Sequence, residues 1–182
     1  MSEATSLKRQ VPAFVRILMW LLLAVLIIVI DQMTKQWATD NLVLYRSSHI
    51  NSWLNWTLAY NYGAAFSMLA DAGGWQRWFF TFLASAVTLV LLVWMFRLKR
   101  DEWRTGLSLS LIIGGAVGNL IDRVRLGYVV DFVDVYYKNH HWPAFNVADS
   151  AISLGIALML LDALILSFNK PEETDPEQEA AE

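Results

Sequence analysis

The sequence predicts an all-α membrane protein, four transmembrane helices with a small β-sheet lying against one end, and three observations carry that reading. The first is composition: 56% of 182 residues are hydrophobic, 17% are charged, and mean hydropathy is +0.39. Nine Trp, nine Phe and six Tyr add the aromatic content that membrane interfaces favour. The second is four uncharged stretches, Ile17–Ile30, Trp78–Phe96, Thr105–Ile121 and Ser150–Leu161. Each reaches, or extends to, the roughly 17 to 25 residues of a spanning helix. The third is a stretch in which Leu54, Trp56, Leu58 and Tyr60 alternate with Asn55, Thr57, Ala59 and Asn61, the period of a strand with one greasy face.

The first span is expected at about 14–37. Its basic flank, Lys8, Arg9 and Arg16, followed by an apolar core resembles a secretory signal. The chain then continues Asp31-Gln32-Met33-Thr34-Lys35 with no small-x-small cleavage site, so a retained span is expected. The segment 38–75 follows, holding the alternating stretch, then Asn61-Tyr62-Gly63-Ala64-Ala65-Phe66, where a glycine among small residues lets another backbone approach, and a turn near Asp71–Gly74. The second span is placed at 76–97 and the third at 105–123. Gly114 and Gly118 give the third a small-xxx-small packing face. A second connection, 124–148, leads to the fourth span at 149–169, which carries Asp162 near its far end. Residues 1–170 thus read as one membrane domain. The tail, 171–182, has six acidic residues, no basic one and no aromatic, and reads as disordered and solvated.

Charge sets the orientation. The formal net charge of −3 comes from that tail, leaving +3 on the rest. The short loop between spans two and three concentrates Arg97, Lys99, Arg100 and Arg104, so the positive-inside rule makes it cytoplasmic, with both termini on the same side. The connections 38–75 and 124–148 and the sheet are then extracytoplasmic. Cysteine is absent, which removes disulfides, thiolate metal sites, cysteine nucleophiles and cysteine-linked lipid anchors.

Every motif with chemical content falls at that outer end. Ionisable residues at the mouths of spanning helices are costly to hold near hydrocarbon and so are candidates for chemistry or transport. Asn119, Asp122 and Arg123, at i, i+3 and i+4, share one helix face; an interfacial ion pair between Asp122 and Arg123 would account for two of them. Asp131 lies in Val129–Asp134, a β-branched and aromatic run that reads as extended, so Asp131 and Asp134 face opposite ways and only one can enter a given site. Asp131 has the more apolar neighbours and would be the more perturbed acid. Asn146 followed by Asp149 is a helix-start pattern, and a capping role for Asp149 is compatible with a chemical one. Two carboxyls brought together would titrate as a unit and could hydrolyse an amide, one taking a proton from water and the other donating to the oxyanion.

Other devices have less support. His49, His140 and His141 lack the spacing of helical zinc ligands, no serine sits in a G-x-S-x-G context, and Asp162 lies about 20 Å deeper than Asp149 at 1.5 Å per residue. A small transporter is the competing class. It would place acids near the midplane and break helices with Gly or Pro, whereas Pro12, Pro143, Pro171 and Pro176 all lie outside the expected spans.

Five motifs in order, Asp31–Lys35, Asn61–Phe66, Gly118–Arg123, Val129–Phe132 and Phe145–Ser150, make residues 17 to 168 similar to the bacterial lipoprotein signal peptidases, or signal peptidase II. The resemblance implies an aspartic endopeptidase of the inner membrane with Asp131 and Asp149 as catalytic dyad. It implies that Asn61, Gly63, Asn119, Arg123 and Asn146 line the substrate site and that Asp31, Lys35 and Asp122 support it. The implied substrates are diacylglyceryl-modified prolipoproteins, cut on the N-terminal side of the lipidated cysteine. Neither cofactor nor metal is implied. Expected partners are those substrates and membrane lipids, with no nucleic acid, and the chain is expected to act as a monomer.

Overall fold

A computed structural model describes residues 12–63 and 74–168. Four helices alternate in direction: α1 (Ala13–Asn41), α2 (Trp75–Phe96), α3 (Trp103–Arg125) and α4 (Val147–Phe168). All four are long and apolar enough to cross a bilayer. At the end where α1 and α3 finish and α2 and α4 begin lies an antiparallel sheet of β1 (Ser47–Asn51), β2 (Leu54–Asn61), β3 (Val129–Tyr137) and β4 (His140–His141), in that spatial order. Four apolar helices and a small sheet are the architecture the sequence predicts. The acidic tail and the turn at 71–73 lie outside the described residues.

α3 is the central helix, packed against the other three and buried along much of its length. The others turn large apolar side chains outward, as Leu22, Val25 and Val29 do on α1 and Leu89, Val90 and Val93 on α2, which suits a lipid surround. Backbones approach closely because α3 is glycine-rich. A Cβ on Gly114 would meet Ile27 Cβ at 2.8 Å and Ala24 O at 2.9 Å of α1, and one on Gly115 would meet Ala148 O of α4 at 2.3 Å. One on Gly118 would reach Asp31 Oδ2 at 2.6 Å. The small-residue face of Gly114 and Gly118 therefore packs on α1, and Gly115 opens the adjacent face to α4.

The sheet shields an aromatic and aliphatic cluster built on Leu58, Val130 and Phe132 with Ala38 of α1. Its strands begin and end on side-chain turns: Asn51 Oδ1 accepts the Trp53 N–H, and Asn61 Oδ1 accepts the Gly63 N–H. The alternation in β2 is interrupted. Leu54, Asn55 and Trp56 pair with Val135, Asp134 and Val133, but Ala59, Tyr60 and Asn61 pair with Asp131, Val130 and Val129, so Thr57 and Leu58 together oppose Phe132. This bulge has a consequence for the site. Asn55 and Asn61, six residues apart, would share a face in a regular strand, while Asp131 and Asp134, three apart, cannot. The extra residue puts Asn55 beside Asp134 and Asn61 on the face of Asp131.

Candidate active site

Asp131 stands in the first half of β3 and Asp149 in the first turn of α4. Asn146, fully buried, precedes α4 and forms a reciprocal cap: its Oδ1 accepts the Asp149 N–H at 2.9 Å, and Asp149 Oδ2 accepts the Asn146 N–H at 3.2 Å. Asp149 Oδ1 accepts Asn119 Nδ2 at 2.8 Å. On Asp131, Oδ1 accepts Asn146 Nδ2 at 2.7 Å and Oδ2 accepts Asn61 Nδ2 at 3.0 Å. Each of the four carboxyl oxygens thus faces one N–H donor. The two groups are linked through amides, since Asn146 Nδ2 also lies 3.2 Å from Asn119 Oδ1.

The amide orientations follow from their other partners. Asn119 Oδ1 accepts Lys35 Nζ at 2.8 Å, and Asn61 Oδ1 accepts the Gly63 N–H at 3.1 Å. An ammonium and a peptide N–H can only donate, so the oxygen of each amide is fixed and its NH2 turns to a carboxyl.

Beneath this pair lies a buried charge cluster. Lys35 Nζ sits 2.8 Å from Asp31 Oδ2 and 2.9 Å from Asp122 Oδ2, which with Asn119 matches all three of its N–H bonds. Asp31 Oδ1 accepts the Ala148 N–H at 2.9 Å, one of the orphan donors of the first turn of α4, and Asp122 Oδ2 accepts the Val130 N–H at 3.1 Å. Gln32 Nε2 donates to Asp122 Oδ1 at 2.9 Å and to Gly118 O at 3.2 Å. Buried charges persist only when fully partnered, and here the partnering ties α1, α3, α4 and β3 to one point. Asp122 pairs with Lys35, so the ion pair with Arg123 that spacing allowed is not the arrangement found. Arg123 instead donates to Gly63 O at 3.4 Å and lies over the Phe80 ring, and its charge acts on Asp149, Asp131 and Asp122.

Burial and the neighbouring charge of Asp149 push the Asp131 carboxyl up to about 7, against the opposing hydrogen bonds from Asn61 and Asn146. Asp134, on the other face, shows the opposite outcome. Burial would raise it, but hydrogen bonds from Asn55, His141 and Thr57 prevail and lower it from its ordinary value.

All ten residues singled out from the sequence meet at this end of the bundle, whereas Asp162 pairs with Arg104 at the other, Oδ1 to Nη1 3.1 Å. His141 pairs with Asp134 and His49 contacts Tyr136. Among the described residues no three His, Asp or Glu side chains converge as metal ligands would. Two contributors carried no clear mark in the sequence. Gln32 shares the helix face of Lys35, which could have flagged it; Arg77 donates from Nε to Arg123 O at 2.9 Å and from Nη2 to Val124 O at 2.7 Å, and main-chain acceptors leave no trace in a sequence.

Four apolar helices, a sheet at one end and a carboxyl and amide cluster under that sheet define a polytopic membrane enzyme. Two solved structures, each described as a bacterial membrane enzyme structure obtained by the in meso method, superpose with TM-scores of 0.75 and 0.68 at 31% and 30% identity, covering 86% of this chain and 94% of theirs. The lipoprotein signal peptidase of Acinetobacter baumannii is 52% identical over 158 residues, 87% of this chain and 90% of that protein. That of Teredinibacter turnerae is 53% identical over 147 residues, 81% and 88% of the two chains. The family profile described as Signal peptidase (SPase) II matches residues 23–165. The chain belongs to the signal peptidase II family, the lipoprotein signal peptidases, and is a membrane protease.

Proposed function

We propose that the protein is an aspartic endopeptidase that cuts diacylglyceryl-modified prolipoproteins on the N-terminal side of the lipidated cysteine, with Asp131 and Asp149 activating water. The observation that carries this reading is the pair itself: two carboxyls from different elements, every oxygen held by a donor from one of three asparagines, Asn61, Asn119 and Asn146. Asp131, buried and pushed up to about 7, is suited to carry the shared proton. Asp149 then acts as base, its carboxylate met by two N–H donors and by the positive end of α4.

In the reaction, Asp149 takes a proton from water as its oxygen attacks the scissile carbonyl carbon, and Asp131 donates its proton to the carbonyl oxygen. The tetrahedral diol collapses when Asp149 passes a proton to the amide nitrogen and Asp131 recovers one from a hydroxyl. The C–N bond breaks, leaving a carboxylic acid and the amine of the lipidated cysteine. Arg123, Gly63 and the three asparagines line the substrate side, while Asp31, Lys35 and Asp122 fix the scaffold. A substrate whose acyl chains stay in lipid delivers its scissile bond at the depth of the helix mouths. The active site is extracytoplasmic, both termini are cytoplasmic, and the enzyme acts as a monomer in the inner membrane.

The test incubates the purified protein with a diacylglyceryl-modified prolipoprotein and its unlipidated counterpart and weighs the products. The lipidated form should be cut immediately before its cysteine, with Asp131→Asn and Asp149→Asn each losing about 10³-fold or more in rate, within the usual range of acid–base catalysis. Retained cleavage in either variant ends the dyad reading, and equal cleavage of both substrates ends the lipid requirement.

A further inference from the structure

We propose that Arg77 and Phe80, in the first turns of α2, are positioning residues that hold Arg123 against the carboxyl pair. α2 is thereby part of the catalytic apparatus, although its sequence reads as a plain apolar span. The inference rests on the reading of Asp131 and Asp149 as the reacting groups.

α3 ends where its last carbonyls lack helical partners. The Leu126 N–H donates to Asp122 O at 2.7 Å and the Gly127 N–H is shared between Asp122 O at 3.3 Å and Arg123 O at 3.2 Å, which leaves Val124 O without a main-chain donor among the described residues and Arg123 O with a long one. Arg77 completes the end, gripping two consecutive carbonyls, Arg123 O at 2.9 Å and Val124 O at 2.7 Å. A cation at a helix C-terminus also meets the negative end of its dipole. Gly127 makes room for this grip: its φ of +90° suits glycine, and a Cβ there would come within 3.3 Å of Arg77 Nη1.

Three residues further along α2, on the same helix face, the ring of Phe80 lies 5.7 Å from the Arg123 guanidinium carbon. One face of α2 therefore fixes Arg123 twice, at its main-chain carbonyl and at its charged head. That head then donates to Gly63 O, the Gly63 N–H donates to Asn61 Oδ1, and Asn61 Nδ2 donates to Asp131 Oδ2. A continuous series of contacts thus runs from α2 to Asp131. If Arg123 is released, a cation moves away from both carboxyls and the Gly63 carbonyl loses its donor.

Spatial continuity alone does not establish coupling, and a double-mutant cycle does. The full-length enzyme is assayed as Arg77→Met, Phe80→Leu, Phe80→Tyr, Arg123→Gln and the two doubles that combine Arg123→Gln with Arg77→Met or Phe80→Leu, with Asp131→Asn as reference. Arg77→Met and Phe80→Leu should each lower kcat/KM by up to roughly 10²-fold, the scale of a small misplacement at a reacting centre. Phe80→Tyr should restore activity. The acid limb of the pH–rate profile should move to higher pH in both variants, because a cation drawn away from carboxyls makes their ionisation harder. In the Arg123→Gln background neither substitution should cost anything further. Additive losses, or an unmoved pH profile with the loss following the fall in Tm, would overturn the proposal. Full activity in Arg123→Gln with Asp131→Asn inactive would also overturn the proposal, whereas full activity in Asp131→Asn would overturn the reading beneath it.

Discussion

Asn146 caps α4 through its oxygen and, through its NH2, faces Asp131, Asn119 and the Val130 carbonyl. A single buried amide therefore starts a helix and joins two carboxyls. This is why the helix-start pattern in the sequence could not separate a capping role from a chemical one. Asp131 leads to a prediction of known sign. Its ordinary value is 3.8 and its folded value about 7, so between those pH values the folded chain holds a proton that the unfolded chain has lost. Stability then falls as pH rises from about 4 to 7 and levels off above. At about 1.36 kcal/mol per pH unit the gap is worth at most about 4 kcal/mol. Asp131→Asn removes this dependence while setting an NH2 against a donor, Asn61 Nδ2 or Asn146 Nδ2, at a pH-independent cost of about 1–3 kcal/mol. Thermal unfolding in detergent should show the Tm of the variant gaining on that of the parent from pH 4 to pH 7 and running parallel above. A difference flat across that range would mean that Asp131 ionises normally. The apolar surroundings of Asp131 were legible in the sequence; the neighbouring charge of Asp149, from another element, could be anticipated only if the two met.

At the level of elements, helix number and strand alternation follow from hydrophobic period, which is a local property. Pairing registers and helix neighbours do not. The bulge in β2 could not be read from residues 54–61, because the reason for it is a mismatch of spacing between two asparagines on β2 and two aspartates on β3, some seventy residues away. Gly114 and Gly118 announced a packing face without naming its partner, and Gly115, which meets α4, belongs to no such pattern. Its position yields the second prediction. A methyl group at 115 would come within 2.3 Å of Ala148 O, a main-chain atom that cannot swing aside as a side-chain tip can. The first turn of α4 must shift, and it carries Asp149 together with the Ala148 N–H that holds Asp31. Gly115→Ala should cost about 1–3 kcal/mol by overpacking and reduce cleavage far more than that loss of folded population explains. Measuring Tm and kcat/KM together checks this; activity falling only in proportion to folded protein would show that α4 absorbs the methyl without moving the site.

Over the whole molecule, the carboxyl pair and the densest basic segment lie at opposite ends. Beneath the sheet is a partnered cluster of acids, amides and Lys35. At the far end, Arg97, Lys99, Arg100 and Arg104 crowd the connection between α2 and α3, Arg104 pairs with Asp162, and Arg16 donates to Leu98 O at 3.0 Å. A helix bundle sealed in this way has two inequivalent ends, and the proposed orientation puts the basic one on the cytoplasmic side, where the positive-inside rule expects it. The absence of cysteine from the chain makes the assignment directly measurable. Asn139 is exposed at the turn between β3 and β4, and Asp101 is exposed in the basic connection. In spheroplasts treated with a membrane-impermeant maleimide, Asn139→Cys should be labelled at once and Asp101→Cys only after permeabilisation. The reverse pattern would put the carboxyl pair on the cytoplasmic side, where a protease acting on exported substrates could not meet them, and labelling of both in intact spheroplasts would mean that the four helices do not hold a single transmembrane orientation.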